Sequence, residues 1–199
     1  GLDNGSTRYR AIHLADALRY QGVSSTLIHA ATPLEKAMQI IEASQSAIFQ
    51  RCFAEQGNVG AFFEFAKSKN KKCIAEMDDL VFPSHIPFVG SVKGGEWKYE
   101  EAMFVATSYE KFIQKADACI VSTPPLKMHT EASYQIPTAV VRNKVTPKRL
   151  KTPTPINASH IKLIYASGTY SHKEDFELIE AVLYEFMVNH PHITLSVLG

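Results

Sequence analysis

The residues best suited to chemistry fall in three short runs, each beside a predicted strand or helix end. The run AEMDDLVF, residues 75–82, puts two adjacent carboxylates, Asp78 and Asp79, where an apolar strand stops. In a parallel α/β sheet that edge is where ligands bind. Strand alternation would send the two side chains to opposite sides, leaving one to face a ligand. Carboxylates there suit a divalent metal such as Mg²⁺, and equally serve to cap a helix or fix a loop. The run IYASGTYSHKEDF, residues 164–176, reads as a strand, a Ser-Gly-Thr turn and a helix. Gly168 permits close backbone approach or positive φ. Ser167, Thr169 and the free N–H groups of the helix start could cradle a phosphate, with Lys173 as a point charge. His172 could donate a proton or touch an anion, and could equally be an exposed loop histidine. The third run, Gly5-Ser6-Thr7-Arg8-Tyr9-Arg10, precedes a helix. Ser6 or Thr7 can cap it, its dipole favours an anion, and Arg8 and Arg10 add bidentate donors. The bland alternative is an ordinary cap with solvated arginines.

Lesser candidates follow the same logic. Ser122 and Thr123 end a strand on the same expected ligand edge, and the bland alternative is a cap before Pro124. Arg142 and Asn143 end another strand. His85, in the loop after Asp79, is a candidate base, and Asp79 is the other catalytic candidate. KSKNKK, residues 67–72, could touch an anionic membrane surface, or simply be a solvated turn.

The elements that must position these residues are legible from apolar periodicity. Helices are predicted over 8–21, 33–43, 58–68, 96–115, 124–134 and 173–189. On the fourth, Trp97, Phe104, Val105 and Phe112 share a side. On the last, Phe176, Ile179, Leu183, Phe186 and Met187 face inward. Strands are predicted over 23–29, 47–50, 72–77, 118–121, 138–141, 161–166 and 193–198. The alternation implies an α/β fold, a Rossmann-like parallel sheet with helices on both faces. Residues 144–160 interrupt it with Pro147, Pro153 and Pro155, and with Lys144, Lys148, Arg149 and Lys151 unopposed by any acid. The expected organisation is therefore a domain over 1–143 whose first strand is missing, a linker over 144–160, and a truncated second domain over 161–199.

Composition narrows the function classes. Among 199 residues, 21 basic and 20 acidic side chains leave a formal charge of +1, so no global field gathers nucleic acid. Hydrophobic residues at 45% exclude disorder as the main state. Cys52, Cys73 and Cys119 form no CxxC pair, which argues against zinc and for a reducing compartment. There is no GxGxxG after a strand and no GxSxG elbow. Gly90 and Gly95 have P-loop spacing, but Glu96 and Trp97 stand where Lys and Ser or Thr are required.

Taken in order, STRYRAIHLADAL (6–18), AEMDDLVF (75–82), ADACIVSTPPL (116–126), VVRNKV (140–145) and YASGTYSHKEDF (165–176) resemble the group 1 glycosyltransferases, in their bacterial polysaccharide and O-antigen branch. The resemblance implies a GT-B fold: an N-terminal Rossmann-like domain that receives the acceptor and a C-terminal one that binds a nucleotide-sugar. It implies transfer with retention and no essential metal or cofactor. Ser167, Gly168, Thr169, His172 and Lys173 would lie at the donor diphosphate. Gly5, Ser6, Arg8, Arg10, Asp78, Asp79, Ser122, Thr123 and Asn143 would line the acceptor side. Many relatives carry arginine where this chain has Thr169, and a glutamate-containing donor motif further along than Gly199. The expectation is thus a cytoplasmic fragment, peripheral at the membrane's inner face and inactive alone. Its parent would pass sugars to a surface or lipid-linked glycan. The alternatives are a non-catalytic glycan- or nucleotide-sugar-binding scaffold and, ranked below it, a phosphoacceptor receiver domain, whose acid pair should lie near its start.

Overall fold

The computed structural model describes residues 5–143, 160–167 and 173–198. The chain divides into two compact units. The described residues of the first are 5–85 and 103–143, and those of the second are 86–102, 160–167 and 173–198, with the side chain of Lys173 left out. Most of the expected linker, residues 144–159, lies outside the described residues.

The first unit is an α/β layer structure. Its strands are β1 (Ser46–Gln50), β2 (Lys72–Met77), β3 (Ala118–Val121) and β4 (Thr138–Val140). They form a four-stranded sheet in that spatial order, every pair parallel. Parallel neighbours need crossovers, and the chain supplies helices between them. The helices are α1 (His13–Tyr20), α2 (Leu34–Glu42), α3 (Val59–Ser68), α4 (Tyr99–Lys115, of which 103–115 belong to this unit) and α5 (Pro124–Tyr134). A short α-helical turn, Gly5–Thr7, and a π-helical stretch, Arg8–Ile12, lead into α1.

Register decides which side chains share a face. Phe49 pairs with Ala75, Ala75 with Cys119, and Cys119 with Thr138. All four are buried, and so are Cys73, Met77 and Val121 of the same parity. Helices α3 and α4 cover this face. Phe49 meets Phe63 at 5.4 Å and Phe112 at 5.3 Å, and the two helix rings meet at 4.7 Å. Tilted ring packing of this kind adds to the area buried. Gly60 lets α3 start close to the preceding loop: its N–H donates to Ala54 O, and a Cβ there would lie 2.7 Å from the same oxygen. At α5, Thr123 accepts from Leu126 N–H and Pro124 fills the first turn, where its missing N–H costs nothing.

The opposite face carries Ile48, Ile74, Glu76 and Ile120, and it is covered unevenly. Glu76 is buried beneath the helical stretch that holds Arg10, whereas Ile48 is exposed.

Residues 23–29 do not join a sheet, contrary to expectation. No strand lies beside them among the described residues, so strand propensity has no ladder to complete, and Val23 and Leu27 stay exposed. The inward face of α4 also differs. Ala106, Tyr109, Phe112 and Ile113 are buried, while Phe104 is exposed. The small residues Ala106 and Ser108 are buried beside the large ones, and a count of large apolar side chains overlooks them.

In the second unit, β5 (Ile161–Ala166) and β6 (Ile193–Leu198) pair in parallel across α6 (Lys173–Asn189). Tyr165 packs on Phe176 at 5.0 Å. Phe176, Leu183 and Met187 are half-buried, but Ile179 and Phe186 are exposed, because a two-stranded layer is too narrow to cover the whole apolar stripe. Among the described residues, no helix is long and apolar enough to cross a membrane.

The ring cluster should dominate the first unit's stability. Phe63→Ala is expected to cost about 3–5 kcal/mol by urea unfolding, the usual loss for a buried phenylalanine. A loss under about 1 kcal/mol would mean that the cluster is not close-packed.

Candidate functional site

Parallel strands deliver all their C-terminal ends to one edge of the first unit. There the chain brings together Arg51 after β1, Asp78 and Asp79 after β2, Ser122 after β3, and Val141 and Asn143 after β4. The segment before α1 adds Ser6 and Arg10. An open cleft of about 510 Å³ at the β3 and β4 ends is lined by Pro124, Val140, Val141 and Arg142.

Arg10 is the deepest charge. It is 3% exposed, and its Nε donates to Glu76 Oε1 at 2.5 Å. Its Nη1 donates to Val141 O and, at 3.1 Å, to Asn143 Oδ1. Glu76 is 2% exposed. Arg10 Nη2 and Glu76 Oε2 are buried without a hydrogen-bond partner. Burial pushes the Glu76 carboxyl up to about 7; the charge and hydrogen bond of Arg10 oppose this without cancelling it, and Asp78 adds to the rise. Arg10 was expected as an open anion donor. It is instead spent inside the fold, because the carboxylate on β2 cannot be buried unpaired.

Arg51 is the second hub. Its Nη1 donates to Asp79 Oδ2 at 2.8 Å and to Ser6 Oγ at 3.3 Å. Asp78 Oδ1 lies 3.5 Å from the same nitrogen, an ion pair without a hydrogen bond. Burial opposes the charge on Arg51, but Asp78, Asp79 and Tyr109 outweigh it and hold the group above its ordinary value. Arg51 has φ +43°, in the left-handed region, and its N–H donates to Glu76 O. That turn lays the side chain along the sheet edge.

The two aspartates do not part to opposite sides. β2 ends at Met77, so both lie beyond the pleat, where alternation no longer applies, and one guanidinium reaches both. Their exposures differ. The Asp78 side chain is 9% exposed and that of Asp79 58%, so Asp79 is the carboxylate open to a ligand.

The remaining expected residues take structural positions. Ser122 Oγ donates to Asp78 O at 2.7 Å, fixing the exit of β2. Thr123 caps α5. Asn143 holds Arg10. Gly5 opens the helical stretch and Arg8 lies in its π-turn. His85 sits in the 3-10 turn Pro83–Phe88, with Nδ1 2.9 Å from Ser84 Oγ and its ring edge-on to His129 at 4.8 Å. Lys67 pairs with Asp117 and Lys69 with Glu42, so part of the lysine patch is already neutralised. In the second unit, Ser167 gives its N–H and Oγ to Leu198 O. Gly168, Thr169, His172 and the Lys173 side chain lie outside the described residues.

Two other chemistries can be weighed. Cys73 and Cys119 are buried, and burial holds the Cys52 and Cys119 thiols up at about 12, so neither offers a thiolate at neutral pH. Among the described residues, no group of three His, Cys, Asp or Glu side chains could hold a metal ion.

Sequence reasoning passed over Glu76, Arg51 and Tyr109. The signal for Glu76 was present: a single charge inside the apolar strand KCIAEM requires a buried partner. No family model, curated protein or solved structure matches the chain.

The raised Glu76 carboxyl sets a pH dependence. A carboxyl held near 7, against an ordinary 4.5, stabilises the fold while protonated. That contribution is whole below the ordinary value and is lost as pH rises through the folded one. Urea unfolding near pH 5 and near pH 8 should show the wild type losing stability relative to Glu76→Gln as pH rises. A constant difference between the two would contradict the assignment.

Proposed function

We propose that this chain belongs to a glycosyltransferase of GT-B type, its first unit receiving the acceptor and its second contributing to a nucleotide-sugar site. The observation that carries the proposal is the set of ionisable side chains at the C-terminal edge of a parallel sheet, with Asp79 exposed and Asp78 covered. Ligands bind at that edge in α/β sheets. An exposed carboxylate flanked by a guanidinium and a serine hydroxyl suits a polyhydroxyl acceptor, which offers several O–H donors at once. The strand β5 running toward α6 adds a helix N-terminus of the kind that favours a diphosphate.

The reaction is transfer with retention. The acceptor hydroxyl oxygen bonds to the anomeric carbon, and the bond from that carbon to the diphosphate oxygen breaks. The diphosphate keeps the electron pair and takes the hydroxyl proton. Preorganised donors stabilise the charge that develops on it. The parent polypeptide would build a surface or lipid-linked glycan at the inner face of the membrane.

Calorimetric titration of the intact parent with UDP-, GDP- and dTDP-sugars tests this. Binding of one of them, followed by release of its nucleoside diphosphate in the presence of acceptor glycan, is the expected result. Binding to none of them would overturn the enzyme reading. Glycan binding without transfer would favour a recognition module built on the same fold.

A further inference from the structure

We infer that Arg51 is the positioning residue of this site: it aims the Asp79 carboxylate at an acceptor hydroxyl beside the attacking one and keeps Asp78 out of competition. The inference rests on the transfer reading above and concerns a residue that the motifs did not single out.

Three features converge on Arg51. Its Nη1 sits between Asp79 Oδ2 at 2.8 Å, Ser6 Oγ at 3.3 Å and Asp78 Oδ1 at 3.5 Å, so a single guanidinium nitrogen spans β2 and the segment before α1. Its backbone is in the left-handed region at φ +43°, which a non-glycine residue keeps only where the surroundings over-determine it. The surroundings do so here: the N–H is fixed to Glu76 O, and the side chain is held by Asp79 and Ser6.

The exposures then divide the labour. The Asp78 side chain is covered, and the nearby cation neutralises it without hydrogen-bonding it. The Asp79 side chain is exposed, and Arg51 engages its Oδ2. Anchoring one carboxylate oxygen fixes the plane of the group, so the other can accept from a hydroxyl next to the attacking one and orient the acceptor, leaving the attacking hydroxyl's proton for the diphosphate. Arg51 acts through Asp79, and no contact of its own with substrate is required.

The test has two arms. In the first, the side-chain ¹⁵N resonances of Arg51 are recorded in this chain and in its Asp79→Asn variant. The wild type is expected to show separate, slowly exchanging Nη signals that merge in the variant. Signals already averaged in the wild type, or unchanged by the substitution, would overturn the anchoring. In the second arm, transfer from UDP-glucose, GDP-mannose and dTDP-rhamnose is measured in the intact parent with Arg51→Ala and Arg51→Lys, with melting curves to confirm folding. For Arg51→Ala, kcat is expected to fall roughly 100-fold with donor KM changed less than about twofold, the pattern of a misplaced reacting group. Millimolar guanidinium or the lysine variant should restore part of the rate. A loss confined to KM, or no loss, would overturn the positioning role. Absence of transfer by the wild type would overturn the transfer reading instead, while the resonance arm still decides whether Arg51 holds Asp79.

Discussion

A guanidinium and a carboxylate buried side by side leave the chain around them little freedom. Taking either ion out of water costs several kcal/mol, and the cost is recovered only while the two stay in contact. Arg10 and Glu76 are such a pair, and the functional edge of the first unit is arranged around them. Glu76 belongs to β2. Arg10 belongs to the helical stretch that crosses the sheet's less covered face. The Nη1 of Arg10 also takes Val141 O and Asn143 Oδ1, so the exit of β4 is tied in as well. Three segments distant in sequence thus meet at one side chain. Arg10 lies within a π-helical turn, a geometry often found at functional sites.

The exposed chemistry stands on that buried frame. Glu76 O receives the Arg51 N–H, so the residue that faces Arg10 with its carboxylate also holds Arg51 with its carbonyl. Arg51 carries Asp79, and Ser122 fixes the backbone at Asp78. The layers differ in what they can do. Arg10 and Glu76 are closed to ligands and act as scaffold, whereas Asp79 is open. A polar group deep in the sheet is tolerable only with partners, and the partners it recruits become the supports of the site.

Much of the fold was legible because apolar periodicity reports burial. β2, β3, β5, β6, α5 and α6 fall on their expected bounds, since each buries a face against something the chain supplies. Periodicity failed where burial depended on partners it cannot see. Residues 23–29 carry strand-like residues but have no neighbouring strand among the described residues. Ile179 and Phe186 continue an apolar stripe beyond the width of the two strands beneath them. At the site, the acidic pair and the strand-end serine were visible as residue types. Their roles were not, because Arg51 is 27 residues from Asp78 in sequence and meets it only through the parallel pairing of β1 with β2. Arg10 read as an open anion donor because helical spacing does not reveal that a glutamate waits on the strand beneath.

A double-mutant cycle on the buried pair tests this account most directly. Arg10→Met, Glu76→Leu and the double variant would be compared with the wild type by urea unfolding near pH 8, above the value of about 7 at which the Glu76 carboxyl sits. Removing either partner alone leaves an uncompensated buried charge and is expected to cost about 3–5 kcal/mol, with the double variant losing less than the two single losses added together. Single losses that simply add, to within about 0.5 kcal/mol, would show that the two side chains are not coupled. The edge of the sheet would then have to be held by something other than this ion pair.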